Sequence, residues 1–271
     1  MEGLVFKIQI NHIRLVGIDM KQWMKWVGVG LVALVLAACG SGDEASDDVL
    51  RVGTEGTYAP FSFHGDGGEL TGYDVDVIRE VAKRMGRDVE FFETQWDGIF
   101  AGLDAERFDV IANQVGINEE REAAYAFTTP YTHSEAVLLV KEGSPIDSFE
   151  AMDGEKASQT LTSNFGELAK SYGATLEQVE GFNQAIDLVT SGRVAGTFND
   201  KISALDFLKQ RPDAPVEMVE GDGEGASDSA FLVRKGDEAL VEQMNEALEA
   251  MRDDGTLVEL SERWFGADVT Q

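Results

Sequence analysis

Asn113-Gln114-Val115-Gly116-Ile117-Asn118-Glu119-Glu120-Arg121 is the stretch around which this chain is organised. Just before it, Phe108 to Ala112 is a short apolar and β-branched run, too short for an ordinary helix, and it reads as a buried strand that ends at Ala112. Just after, Asn118 followed by Glu119 and Glu120 carries the chemistry of a helix start: a side-chain oxygen for the free N–H groups, then acids where the helix dipole favours negative charge. The stretch is a strand-to-helix turn, which in a layered α/β sheet aims backbone N–H groups into the crevice at the strand's carboxyl end. Arg121, one turn into the helix, adds a planar fork of donors shaped for a carboxylate. Two readings are open here: a clamp for an anion, or an ordinary βα loop with a surface arginine.

Outward from this turn, short apolar runs alternate with helical stretches, the pattern of an α/β protein with largely parallel sheets. Leu50 to Gly53 and Val89 to Phe92 read as strands. Between them Val77, Ile78, Val81, Ala82 and Met85 recur at helical spacing, with Gly86 placed to end the helix. Trp96, Ile99, Phe100 and Leu103 predict a short helix leading into the Phe108 strand, which completes one βαβαβ lobe. A second lobe follows, with strands at Glu155–Thr160, Thr175–Glu180 and Val194–Phe198 and helices at Asn164–Ser171, near Ile186–Val189, and at Ile202–Leu208. Glu135–Lys141 and Ser229–Arg234 are β-rich runs between the lobes, so two crossings and a discontinuous first lobe are expected: 49–136 with 230–271, and 137–229 for the second. The helices at Ala239–Met251 and Leu257–Phe265 return to the first lobe by position.

Lys and Arg number 22 against 50 Asp and Glu, a formal net charge of −28, which disfavours nucleic acid because a phosphate backbone needs a basic face. Cys39 is the single cysteine and the three histidines, His12, His64 and His133, are scattered, so neither an internal disulfide nor a metal site is expected, and no cofactor either. Lys21 and Lys25, the apolar run Val27–Ala38 and the ending Leu36-Ala37-Ala38-Cys39 describe an export leader over 20–38, its apolar part shorter than a bilayer span. The ending resembles a bacterial lipobox, which implies cleavage before Cys39 and a lipid anchor on that cysteine at the outer face of the cell membrane or in the periplasm. Residues 1–19 fit no part of a leader and read as a misassigned start, with translation from Met20. Residues 39–48 are small, polar and acidic, a flexible tether.

Thr54-Glu55-Gly56-Thr57-Tyr58-Ala59-Pro60-Phe61-Ser62-Phe63, Trp96-Asp97-Gly98-Ile99, Phe127-Thr128-Thr129-Pro130-Tyr131, Asp254-Gly255-Thr256-Leu257 and Trp264-Phe265-Gly266 occur in that order. Together they resemble the bacterial extracellular solute-binding proteins of family 3, the polar amino-acid-binding proteins of ABC importers, and most of all the cystine-binding members, across about Leu50 to Gln271. The resemblance implies the two-lobed type II periplasmic-binding-protein fold with a two-strand hinge, a monomer that holds its amino acid between the lobes and delivers it to membrane permease subunits. It further implies that Arg121 pairs with the ligand carboxylate and Asp200 with its ammonium. Glu55, Tyr58 and Trp96 would contact or cover the ligand, Ser163 would donate to the carboxylate from the second lobe, and the main chain of Gln114 and Gly116 would meet the ammonium and carboxylate.

Two positions depart from the family pattern. Gly116 stands where a Ser or Thr is usual, which removes a hydroxyl, and Thr162 stands where a glycine is common at the opening of the second lobe. Tyr58 and Trp96 also read as core aromatics, and Glu55 and Asp200 as solvated strand-end acids. Two other functions stay open: a dehydratase of cyclic acids on the same fold, with Glu55 as its proton donor, and a ligand sensor that works through a separate membrane partner.

Overall fold

Strand β1 (Val49–Thr54) places Leu50 and Val52 fully buried and ends on buried Thr54, so the apolar run predicted from Leu50 forms the floor of the first lobe. The computed structural model describes residues 48–271 apart from 222, 224 and 226; the start, leader, Cys39 and nearly all of the tether lie outside the described residues. A small three-stranded sheet of β2 (Thr57–Tyr58), β3 (Ser62–His64) and β4 (Leu70–Thr71) follows β1, and the chain then turns into helix α1 (Tyr73–Arg84). Val77, Ile78, Val81 and Ala82 of α1 are fully buried, as their helical spacing predicts, and Gly86 takes the left-handed backbone (φ 73) that terminates a helix.

After β5 (Asp88–Glu93), helix α2 (Trp96–Asp104), β6 (Val110–Gly116), α3 (Glu119–Ala124), β7 (Tyr125–Phe127) and β8 (Thr132–Ser134), the chain leaves for the second lobe. There it forms β9 (Ala136–Lys141), a short 3-10 turn (Glu150–Met152), β10 (Lys156–Gln159), α4 (Asn164–Ser171), β11 (Thr175–Gln178), α5 (Phe182–Thr190), β12 (Gly196–Asp200), α6 (Lys201–Gln210) and β13 (Val216–Glu220). It returns through β14 (Ser227–Arg234) and ends in α7 (Glu238–Asp253) and α8 (Thr256–Phe265). The first sheet has the order β5-β1-β6-β14-β7, with β8 also on β14; the second has the order β11-β10-β12-β9-β13. Parallel pairing holds β5, β1 and β6 together, while β14 runs antiparallel between β6 and β7.

Met244, Leu248 and Met251 of α7 and Leu257 of α8 share one apolar cluster with Leu50, Val52 and Val110, so the C-terminal helices complete the first lobe. Each such side chain, fully buried, contributes about 1.5–3 kcal/mol of hydrophobic stabilisation. In the second lobe β9 is covered on both faces: Val137 and Leu139 face Ile186 and Phe207, while Leu138 and Val140 face Phe149 and Phe198. A strand covered on both sides reads as continuously apolar, and Ala136–Val140 does.

At the cleft, two strands run further than the sequence reading has them. Strand β6 does not stop at Ala112; it runs on through Gly116, because β14 continues to pair with it. Ile111 lies opposite Leu232 and Val115 opposite Ala230, which leaves Ala112, Asn113 and Gln114 facing the single residue Phe231. That is a β-bulge, and Gln114 within it has φ 48. Strand β12 likewise includes Asn199 and Asp200, which look like strand breakers in sequence but pair with Val137 and Ala136.

Candidate functional site

The first lobe meets the cleft at the ends of β1 and β6. Asn113, buried at the bulge, donates from Nδ2 to Glu55 Oε2 (2.6 Å) and accepts the Glu55 N–H at Oδ1 (2.8 Å). Glu55 therefore faces the cleft with its carboxyl gripped from behind, and burial pushes that carboxyl up to about 7 although the Asn113 bond opposes the shift. Behind the bulge lies Asp74, fully buried in the first turn of α1, which accepts from the Gln114 N–H (2.7 Å) and Gln114 Nε2 (2.6 Å). Its carboxyl is likewise raised to about 7 by burial.

The second lobe meets the cleft with helix starts. The Ser163 hydroxyl accepts from the Gly166 N–H (3.0 Å) at the start of α4, Gly181 opens α5, and Asp200 accepts from the N–H groups of Ile202 (2.8 Å) and Ser203 (3.3 Å) at the start of α6. Side-chain oxygens at these positions satisfy N–H groups that a helix cannot bond internally. Asp200 is buried, and desolvation raises its carboxyl to about 6.

Arg121 joins the two sides. The Asn118 cap expected from sequence is formed, its Oδ1 accepting the Arg121 N–H at 2.8 Å. The guanidinium lies over the rings of Trp96 (5.3 Å) and Phe100 (5.4 Å) and donates to the carbonyls of Gly116 (2.8 Å) and, across the cleft, Thr162 (3.1 Å). It is 8% exposed, which rules out a surface arginine, and desolvation lowers its pKa to about 10. Among the described residues it pairs with no carboxylate. Further bonds span the lobes: Tyr58 OH donates to Asn199 Oδ1 (2.8 Å), Gln95 Nε2 to Glu180 Oε2 (3.0 Å), and Ser203 Oγ to the Ala59 carbonyl (3.0 Å). Asp97 accepts from the Leu161 and Thr162 N–H groups (3.2 and 3.1 Å) and from the Thr162 hydroxyl (3.0 Å). The cleft is shut.

Inside it is a cavity of about 60 Å³. Five of the expected residues line it: Glu55, Tyr58, Trp96, Gln114 and Ser163. Gly116, Arg121 and Asp200 do not; Gly116 lies along β6 toward Arg121, Arg121 stands behind the Trp96 ring, and Asp200 adjoins the lining residue Asn199. The Gln114 N–H, one of the main-chain groups expected at the ligand, is taken by Asp74, and Gln114 lines the cavity with a side-chain oxygen that has no partner. Sequence reasoning missed Asn113 and Asn199, which hold Glu55 and Tyr58, and the apolar walls Phe165 and Phe182. Their positions, at a strand end or in a helix's first turn, were the available signal. Of the three carboxyls raised by burial, Glu55 lines this space, Asp74 holds the lining residue Gln114 from behind, and Asp200 adjoins the lining residue Asn199.

The model of the bacterial extracellular solute-binding proteins, family 3, matches residues 50–267. The chain is 48% identical to a probable amino-acid ABC transporter-binding protein of Haemophilus influenzae, over 82% of this chain and 86% of that one. It is 46% identical to the L-cystine-binding protein TcyA of Bacillus subtilis, over 87% and 94%. Among solved structures, the L-cystine solute receptor of Neisseria gonorrhoeae in its unliganded open conformation is 45% identical, covering 82% of this chain and 95% of that one, with a TM-score of 0.57. An ancestral arginine-binding protein bound to arginine is only 36% identical, covering 80% and 98%, yet superposes better, with a TM-score of 0.75. The receptor is in an open conformation and this cleft is shut, while both have the two-lobed type II periplasmic-binding fold. The chain belongs to the bacterial extracellular solute-binding proteins of family 3.

Proposed function

We propose that this chain is the amino-acid-binding component of an ABC importer and that cystine is its preferred ligand, with a polar or basic amino acid next. Arg121 is the observation that carries the reading: a buried guanidinium stacked on aromatics, with carbonyls for neighbours and no carboxylate partner among the described residues. A desolvated cation left this way favours an incoming carboxylate. Asp200, with Asn199 beside it, meets the ligand ammonium, and Ser163 meets its carboxylate at the start of α4. The excess of buried carboxyls over cations selects a second positive group on the ligand, and Glu55 receives it. Cystine supplies a second ammonium together with a disulfide bridge that packs on Tyr58 and Trp96. The relatives that bind cystine support that choice.

Ligand contacts on both lobes favour the shut arrangement, and the shut form is what the permease subunits engage. Lobe assignments of 49–136 with 230–271 and 137–229, export over 20–38 and lipid anchoring at Cys39 belong to the same proposal. The test is calorimetric screening of the twenty common amino acids and cystine. Cystine is expected to bind most tightly; failure of cystine to displace another bound amino acid overturns the cystine assignment, and no binding by any of them overturns the function. One observation favours a second reading: Glu55, raised to about 7 inside the cavity, has the properties of a general acid. Turnover of a cyclic acid by the purified chain would establish it, and none is expected.

A further inference from the structure

We infer that Asp74 is a positioning residue for the cleft: from behind the first sheet its carboxylate locks the Ala112–Gln114 bulge, and the bulge aims Asn113 at Glu55. The inference rests on the amino-acid-binding reading only for its affinity readout.

Asp74 is 0% exposed and sits in the first turn of α1, yet it does not serve that helix, whose cap residue Gly72 has no side-chain bond. Its two oxygens instead hold one residue of another element: Oδ2 takes the Gln114 N–H and Oδ1 takes Gln114 Nε2. The remaining Nε2 hydrogen reaches Thr132 Oγ1 at 3.1 Å. Gln114 needs holding, because φ 48 lies in the left-handed region that L side chains disfavour and glycine accepts. A buried carboxylate without a cation is a poor device for stability alone, and an apolar side chain would fill the same place more favourably. What the pairing secures is the bulge. Three residues of β6 face Phe231 of β14, and Asn113, in the middle of them, grips both the N–H and the carboxylate of Glu55. A continuous path thus runs from Asp74 through Gln114 and Asn113 to the cleft carboxylate. Glu55 owes its aim to a residue that never meets the ligand.

The experiment is calorimetric titration of the full chain and its variants with L-cystine and L-arginine, with thermal unfolding run alongside. Gln114→Gly adopts positive φ unaided, whereas Gln114→Ala must be forced into it, so alanine is expected to weaken binding about tenfold more than glycine. Asp74→Asn keeps the volume but presents a donor where Gln114 Nε2 needs an acceptor. It is expected to cost about tenfold in the parent and less than about threefold in the Gln114→Gly background. Equal losses for glycine and alanine, or an Asp74→Asn loss that is the same in both backgrounds, overturn the inference. Should the parent bind neither amino acid, the binding reading fails by itself, and positioning is read in the ligand-free chain. Hydrogen exchange at the Glu55 amide, which donates to Asn113, is then expected to speed up in Asp74→Asn and Gln114→Ala but not in Gln114→Gly; unchanged exchange in all three overturns the inference.

Discussion

On the first lobe's side of the cleft, Glu55 is reached through a relay: Asp74 accepts hydrogen bonds from Gln114, the backbone joins Gln114 to its neighbour Asn113, and Asn113 donates to Glu55. On the second lobe's side, Ser163, Gly181 and Asp200 stand at the starts of three helices, and a side-chain cap is present at two of them. The first arrangement builds polar geometry from a strained backbone and a buried network, so its parts depend on one another. The second uses the ordinary N-terminal chemistry of helices, so its parts are separable. One lobe is a preorganised bed, and the other brings independent contacts down onto it.

The hardest blow to this contrast is Arg121→Ala, since the buried Arg121 guanidinium donates to both sides. Removing a charge-assisted partner of a desolvated carboxylate costs about 2–5 kcal/mol, and each 1.4 kcal/mol is about tenfold in affinity, so calorimetry should find binding nearly abolished. A folded variant that binds like the parent would remove the clamp. Next in size, Asp200→Asn separates the two roles of one residue, because asparagine caps a helix about as well as aspartate but carries no charge. Affinity is expected to fall by about 1.5–3 kcal/mol with the melting temperature unchanged or higher. Unchanged affinity would reduce Asp200 to a cap.

Acidity tests the bed itself. Burial raises Glu55 and Asp74 to about 7 and Asp200 to about 6, so the folded chain holds these protons more tightly than the unfolded chain does. Their contribution favours folding at low pH and is lost as pH rises from about 4 to about 7, above which they are ionised in both states. The ligand-free melting temperature should therefore fall over that window, and Glu55→Gln should flatten part of the slope; scanning calorimetry that finds a rise instead would contradict the buried-carboxyl account. The smallest effect belongs to Thr162→Gly. Exposed Thr162 spends its hydroxyl on Asp97, a contact worth no more than about 1 kcal/mol, so the variant should lose less than about fivefold in affinity and should open slightly in ligand-free scattering profiles. Profiles identical to the parent would mean that the departure at 162 has no part in closure.

Much of this was legible because it depends on period and capping. The helix from Tyr73, the cap at Asn118, the helix at Asn164–Ser171 and the return of the C-terminal helices follow from apolar spacing and N-cap chemistry. What escaped is what pairing partners decide. Nothing local in Ala112-Asn113-Gln114 marks a bulge, since it exists only because β14 lies alongside with fewer residues to offer. Asn199 reads as a breaker until β9 pairs with it, and short strands such as β2 and β8 are too brief to show a period. Arg121 and Glu55 stand out in the sequence by residue type and place, but their burial is a property of both lobes together.

Strand β14 has a consequence for the order in which the molecule can come into being. It lies between β6 and β7, in the middle of the first sheet, although it follows every strand of the second lobe in the chain. A nascent polypeptide emerging from its N-terminus thus carries two halves of an unfinished sheet, while the whole second sheet, β9 to β13, is already in hand. The first lobe, begun first, is finished last, and its middle stays open until Arg234 has been added.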